Sequence, residues 1–274
     1  MFTQSLPTIF SSTMDAVSHG AEVSQFHART LRTSLVVEES RIYWARSQDN
    51  IPRENRAIVA FEERWFGGKS MARVQTLLTE FGHRFDAYPM ALEVLRQWCP
   101  SDLATRQNIC HWHLQLIDPL YRDFAGTFLE QRRSQLHPSV DRDVTVRWVK
   151  QKLDDKWAAV TTIRMATSLI TAATSAGLCS DNQGTRTLKY PRVSDEALAY
   201  WLYFLKDLKF EGTLLTNSYL ASVGLSEDFL EQRLLRLPGI SFSRMGDLLE
   251  FTWHHPNLKI WAIKELELTW EDAP

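Results

Sequence analysis

The chain is poor in the features that mark most catalytic, secreted or membrane proteins. Cysteine is scarce: Cys99, Cys110 and Cys179 are odd in number and lack framework spacing, which argues against a disulfide scaffold and fits a reducing cytoplasm. No run approaches the ~18 consecutive apolar residues of a membrane span. The start, Met1-Phe2-Thr3-Gln4, has no basic-then-apolar leader pattern, so a soluble, cytoplasmic protein is expected. Net charge is also nearly absent, with 31 Lys and Arg against 33 Asp and Glu. That excludes a wholly basic nucleic-acid coat protein but leaves room for a local cationic surface. No Gly-rich strand-to-helix turn and no nucleophile elbow occurs. Gly67-Gly68-Lys69-Ser70 ends like a phosphate loop, yet that loop's first glycine would fall at Glu63, on a helical pattern. No catalytic residue, cofactor or metal is therefore expected, and the chain reads as a non-enzyme.

What is present points to helices. At 274 residues, with 44% hydrophobic and 23% charged residues, the composition is that of a globular protein. The most informative stretch runs from Ser139 to Arg192. A helix is predicted from a Ser139 cap to about Leu153, then a break at Asp154-Asp155-Lys156, then a second helix from Ala158 to Ala176 stopped by Gly177. The turn Asp181-Asn182-Gln183-Gly184 and the basic strand Thr185–Tyr190 follow, closed by Pro191. Helix, turn, helix and basic β-element is the order of a winged helix-turn-helix.

The second helix is unusual in what it omits: no carboxylate occurs between positions 158 and 176. At 100° per residue, Ile163, Met165, Ala166, Leu169, Ile170 and Ala173 share one side, and Thr161, Arg164, Thr167, Ser168, Thr171, Thr174 and Ser175 the other. Water-facing helices normally use Glu and Lys, which are better helix formers than Thr and Ser. A slim hydroxyl face with one arginine suits entry into a DNA groove. The competing reading is a face packed inside the protein, with hydroxyls back-bonded to the helix. Between Tyr121 and Arg164 the cations outnumber the anions, and Arg186, Lys189 and Arg192 follow against Asp181 alone. The residues assigned to DNA are Lys150, Lys152, Lys156, Thr161, Arg164, Thr167, Ser168, Arg186, Lys189 and Arg192. Lys69 and Arg73 join them from a second helix pair, around Gly67-Gly68-Lys69, in which Ser70 caps Met71 to Phe85.

Elsewhere, residues 1 to about 30 form a Ser/Thr/His-rich arm. Helices are predicted over Val36–Arg46, Pro52–Phe66, Ala91–Trp98, Gln107–Ile117 and Leu120–Arg133. After Arg192, Ser194 caps an apolar helix, Leu214–Val223 forms a short one, and Ser226 caps another reaching Leu237. A strand, turn and strand through Ile240–Trp253 then give a second winged-helix-like order in a more acidic neighbourhood. Cys110-His111-Trp112-His113 invites a zinc reading, but His111 and His113 lie about 200° apart on a helix. Satisfied histidines on a half-buried helix are preferred. Trp157 is the tryptophan best placed to stack on a base.

Several of these segments resemble the BrxA family of BREX bacteriophage-exclusion systems. They are Arg41-Ile42-Tyr43-Trp44, Phe61-Glu62-Glu63-Arg64-Trp65-Phe66-Gly67, Arg84-Phe85-Asp86-Ala87-Tyr88-Pro89 and Cys110-His111-Trp112-His113-Leu114-Gln115-Leu116. Asp118-Pro119-Leu120-Tyr121, Phe210-Glu211-Gly212, Leu220-Ala221-Ser222-Val223-Gly224-Leu225 and Arg244-Met245-Gly246-Asp247 complete the set. The resemblance implies a mostly helical, double-stranded-DNA-binding accessory protein acting with a methyltransferase, an ATPase and other subunits in phage defence. It brings no catalytic residues. The expected protein is mainly α with short β-hairpin wings and monomeric when alone. Its units are 1–135 (helical, with a helix-turn-helix-like pair), 136–193 (winged helix) and 194–274 (helical, winged-helix-like). The alternatives are an interaction scaffold for other defence subunits and an RNA-binding protein.

Overall fold

A computed structural model describes residues 19–27, 29–47, 51–153, 157–245 and 248–270. The chain is mainly α-helical, with two small antiparallel strand pairs. It begins with an extended segment tied at Ala21 to Lys209 and a 3-10 turn, Arg29–Leu31. Then come α1 (Val37–Arg46), α2 (Arg53–Glu62), α3 (Met71–Phe81), a π-turn (Gly82–Asp86), α4 (Pro89–Trp98) and α5 (Leu103–Ile117). Ser70 caps α3 by accepting from the Arg73 amide, and Pro89 opens α4 with its ring where no helical N–H is needed. α2 stops at Glu62, short of the expected Phe66, because Arg64 takes a left-handed φ of 51° and Trp65 turns into the core.

α5 runs through the centre. Every residue from Asn108 to Ile117 is buried, so the helix has no polar stripe. The expected half-burial is corrected to full burial over that stretch, while Leu103 at the start of the helix is exposed. Its polar side chains are matched individually. His111 Nδ1 lies 2.8 Å from the Tyr121 hydroxyl and Nε2 2.8 Å from Ser222 Oγ. His113 Nδ1 faces the Arg84 carbonyl at 3.1 Å and Nε2 faces the Tyr200 hydroxyl at 2.8 Å. The Trp112 indole donates to the Tyr219 carbonyl at 3.1 Å. Arg84, which helical spacing sets away from the apolar face, is also buried. Its guanidinium donates to the carbonyls of Thr33, Ser34 and Leu35, a use of its fork of donors that no periodicity reveals.

The first winged helix follows. α6 (Pro119–Asp123), a π-turn (Phe124–Phe128) and α7 (Leu129–Arg133) make its first helical arm. β1 (Ser139–Val140), α8 (Arg142–Lys152), α9 (Ala159–Ser175) and β2 (Arg186–Thr187) complete it. Ser139 is not a cap: it pairs with Thr187 in the sheet, and Asp141 caps α8 by accepting from the Val144 amide. Val140 pairs with Arg186, and Cys179 bridges Leu188 on the other side of β2. β2 therefore lies between the strand before the helix pair and the strand after it, the connectivity of a winged helix. The predicted six-residue strand is two residues long, and its pairing continues one residue further through the Cys179–Leu188 bridge, whose hydrogen bonds join the Lys189 amide to the Leu178 carbonyl and the Ser180 amide to the Thr187 carbonyl. Asp154, Asp155 and Lys156 lie outside the described residues.

The third segment is α10 (Asp195–Lys206), α11 (Ser218–Ser222), α12 (Glu227–Leu234), β3 (Ile240–Met245), β4 (Leu248–Trp253) and α13 (Leu258–Glu265). α11 is shorter than expected because Asn217, as its cap, accepts from the Leu220 amide and ends the preceding turn. α12 stops at Leu234, and α13 was not anticipated. β3 and β4 pair from Ile240↔Trp253 to Met245↔Leu248; the expected turn residues Gly246 and Asp247 lie outside the described set. All three segments share one continuous core. Trp112 of α5 stacks on Trp201 of α10 at 5.2 Å. α11 packs directly on the π-turn, where a Cβ on Gly126 would lie 2.6 Å from that of Ser218. Tyr190 lies across Gly224 (φ 79°), where a Cβ would come within 2.7 Å of the ring, so the two helix-turn-helix units are fused at that point.

Candidate nucleic-acid interface

The helix α9 divides much as its sequence suggests. Met165, Ala166, Leu169, Ile170 and Ala173 are buried, while Arg164, Thr167 and Thr171 are exposed and Thr161, Ser168, Thr174 and Ser175 half-buried. The correction is at the N-terminal end. Ile163, assigned to the apolar side, is 43% exposed, and Val160 is 65% exposed. Ile163 lies at the edge of the apolar stripe, on a turn that little covers. The outward face is therefore Val160, Ile163, Arg164, Thr167 and Thr171, half methyl groups and half polar. Its hydroxyls are partly committed: Thr167 donates to the Ile163 carbonyl at 3.0 Å and Thr171 to the Thr167 carbonyl at 2.8 Å. Back-bonding turns the threonine methyls outward and leaves each oxygen's lone pairs as acceptors.

Beside this face is an open groove of about 520 Å³. Thr167, Ile170 and Thr171 form one wall, the N-terminal turn of α8 (Asp141, Arg142, Asp143) another, and the wing (Gly184, Thr185, Arg186) the third. The charge here is mixed, in keeping with the modest cationic excess of the sequence around it. Asp141 is committed to capping α8, and Asp143 is exposed. Arg186 donates to the Ser180 carbonyl at 3.2 Å and lies 3.6 Å from the exposed Asp181 carboxylate. Arg142 is exposed at the groove's edge, and Arg147 and Lys150 continue a cationic stripe along the solvent side of α8.

The remaining assigned residues scatter. Lys152 turns away to Asp123 of α6 at 2.6 Å. Lys189 is exposed just past β2, and Arg192 is exposed on the side of Asp102, whose carboxyl its charge helps hold down after the Thr105 hydrogen bonds. Lys69 pairs with Glu39 at 3.2 Å, and Arg73 donates to the Arg32 carbonyl at 2.9 Å, so both serve the N-terminal helices instead of the α9 face. Lys156 lies outside the described residues. Trp157 is half-buried.

Sequence reading missed two arginines. The 3-10 turn Arg29–Leu31 packs against α9, which brings Arg29 and the exposed Arg32 beside that helix. Their charge is felt locally: His83 is held below the usual histidine range by burial and then by Arg29, His27 and Arg32. The only hint was an Arg-x-x-Arg spacing inside an arm without hydrophobic period. Among the described residues no three His, Cys, Asp or Glu side chains gather as a metal site, and no helix is long and apolar enough to cross a membrane.

The chain is a mainly helical protein in which two groups of helices are each accompanied by a small antiparallel strand pair. No protein-family model and no curated protein matches the chain. Among solved structures, the crystal structure of an uncharacterized protein from Magnetospirillum magneticum is similar, with a TM-score of 0.58 at 15% identity. The match covers 74% of this chain and 100% of that one. At that identity the likeness speaks for the fold alone.

Proposed function

We propose that this protein is a non-enzymatic double-stranded-DNA-binding protein that presents α9 to the major groove, acting as a BrxA-type accessory subunit beside the methyltransferase and ATPase of a phage-defence system. The observation that carries the reading is the exposed, carboxylate-free face Val160–Ile163–Arg164–Thr167–Thr171. A helix of this width fits the major groove. Arg164 is its one group able to make a bidentate contact to guanine, and the Val, Ile and Thr methyls suit thymine methyls. Arg142, Arg186 and Lys150 lie where phosphates would pass, and they set register without reading sequence. Asp141 and Asp143 oppose the phosphates, so affinity is modest, and one arginine gives weak sequence preference. The second winged helix presents different chemistry and is not part of this surface.

A salt-titrated gel shift tests the reading. Duplex DNA is expected to bind with log K falling linearly in log salt, by about 0.9 for each phosphate contacted. Single strands and structured RNA should compete poorly. RNA that competes as well as duplex, or binding indifferent to salt, would reject it.

A further inference from the structure

The segment from α10 to β4 presents a surface opposite in character to that of α9. Where α9 shows hydroxyls and an arginine, α12 shows Asp228, Phe229 and Gln232, with Leu235 just past its end; Phe229 is 66% and Leu235 67% exposed. Of the nearby arginines, Arg233 pairs with Asp195 and Arg244 with Glu231 at 2.6 Å, while Arg236 is exposed just past the end of α12 and does not line the cleft. Beside α12 lies a cleft of about 540 Å³, between α11, α12 and the loop before α11. Leu215, Leu225 and Phe229 give it apolar walls, Glu211 and Asp228 put exposed carboxylates on it, and Gly126 closes its floor. Unlike the groove beside α9, which carries Arg142 and Arg186, this cleft is lined by carboxylates and no lysine or arginine, so it favours a basic occupant over a phosphate. An exposed phenylalanine beside a cleft that holds one or two side chains is the form of a protein anchor site.

We infer that the cleft beside α12 binds a basic, apolar segment of a partner protein, with an aliphatic or aromatic side chain against Phe229 and Leu215 and a lysine or arginine against Asp228 and Glu211. Two unlike faces on one rigid core then tether that partner to whatever α9 holds. The site itself does not depend on α9 binding DNA.

Fluorescence anisotropy on the full chain tests this with three labelled hexapeptides, alternating Lys-Leu, Glu-Leu and Lys-Gly. The Lys-Leu peptide is expected to bind, and the other two to bind at least about tenfold more weakly. Phe229→Ser with Asp228→Asn should cost Lys-Leu binding about tenfold or more while circular dichroism stays unchanged, since both side chains are exposed. A protein lacking Arg142, Arg164 and Arg186 should retain peptide binding in full, which keeps this outcome separate from the DNA reading. Equal binding of Lys-Leu and Glu-Leu, or no loss in the double variant, overturns the inference. So does a self-associated chain that Phe229→Ser makes monomeric, because the occupant is then a second copy. Loss of duplex binding in the double variant also overturns it.

Discussion

A protein with Arg142, Arg164 and Arg186 all replaced by alanine is expected to bind duplex DNA at least about a hundredfold more weakly at low salt, with its log–log salt slope reduced by about 2 to 3. Arg142 and Arg186 stand on opposite sides of the groove beside α9, and Arg164 is the long cation on the helix itself. Each removed cation releases about 0.9 fewer counterions, so affinity and slope must fall together. The fold should survive, because none of the three is buried. Replacing Lys69 and Arg73 instead should leave both quantities unchanged, since those side chains are spent on Glu39 and on the Arg32 carbonyl. Gel shifts at several salt concentrations check both variants. An unchanged slope in the triple variant removes the α9 face from consideration.

The second large effect concerns acid. Burial drives His111 and His113 down to about 3 and His19 to about 4, against about 6.5 in an unfolded chain. Each ring is held neutral in the fold because burial penalises its charged form. The unfolded chain therefore takes up protons first as pH falls. Stability from these groups is complete above about pH 6.5 and declines toward the folded values, by about 1.4 kcal/mol per pH unit for each histidine. At pH 5 the three together amount to at most ~6 kcal/mol, comparable with the whole stability of many domains. Glu80 and Asp118 work in the other direction. Burial raises both carboxyls, so the cost of keeping them ionised is relieved as pH falls through their raised values. The net expectation is a clear drop in the urea midpoint between pH 7 and pH 5, followed by tryptophan fluorescence. A midpoint that is flat or rises over that range contradicts the neutral-histidine core.

Much of the helical fold was legible because caps and apolar periods are local. Ser70, Ser194 and Gly177 marked boundaries correctly, and α9 was bounded to within a residue. α5 was legible as a helix but not as the centre, since a helix buried on every side has no period to read. The cap at Ser139 failed because a long-range pairing with Thr187 draws Ser139 into a strand, and Asp141 caps α8 instead. Charge misled in the same way. Lys152 and Lys69 look available in a sequence, yet partners distant in the chain hold them, Asp123 and Glu39. Conversely, Arg29 and Arg32 reach α9 only through tertiary packing. The exposed Val160 and Ile163 were hidden by a periodicity argument that treats both ends of a helix as equally covered.

Site-directed photo-cross-linking from position 167 tests the central claim most directly. Thr167 is exposed midway along α9, and two of the native cysteines are buried and the third, Cys99, half-buried. A Thr167→Cys protein, with Cys99 replaced by serine, accepts an azidophenacyl label at that point. With duplex DNA, illumination should yield a covalent protein–DNA adduct from position 167 and little or none from the same label at position 229. Adducts from position 229 with none from position 167 would place the nucleic acid on the other module.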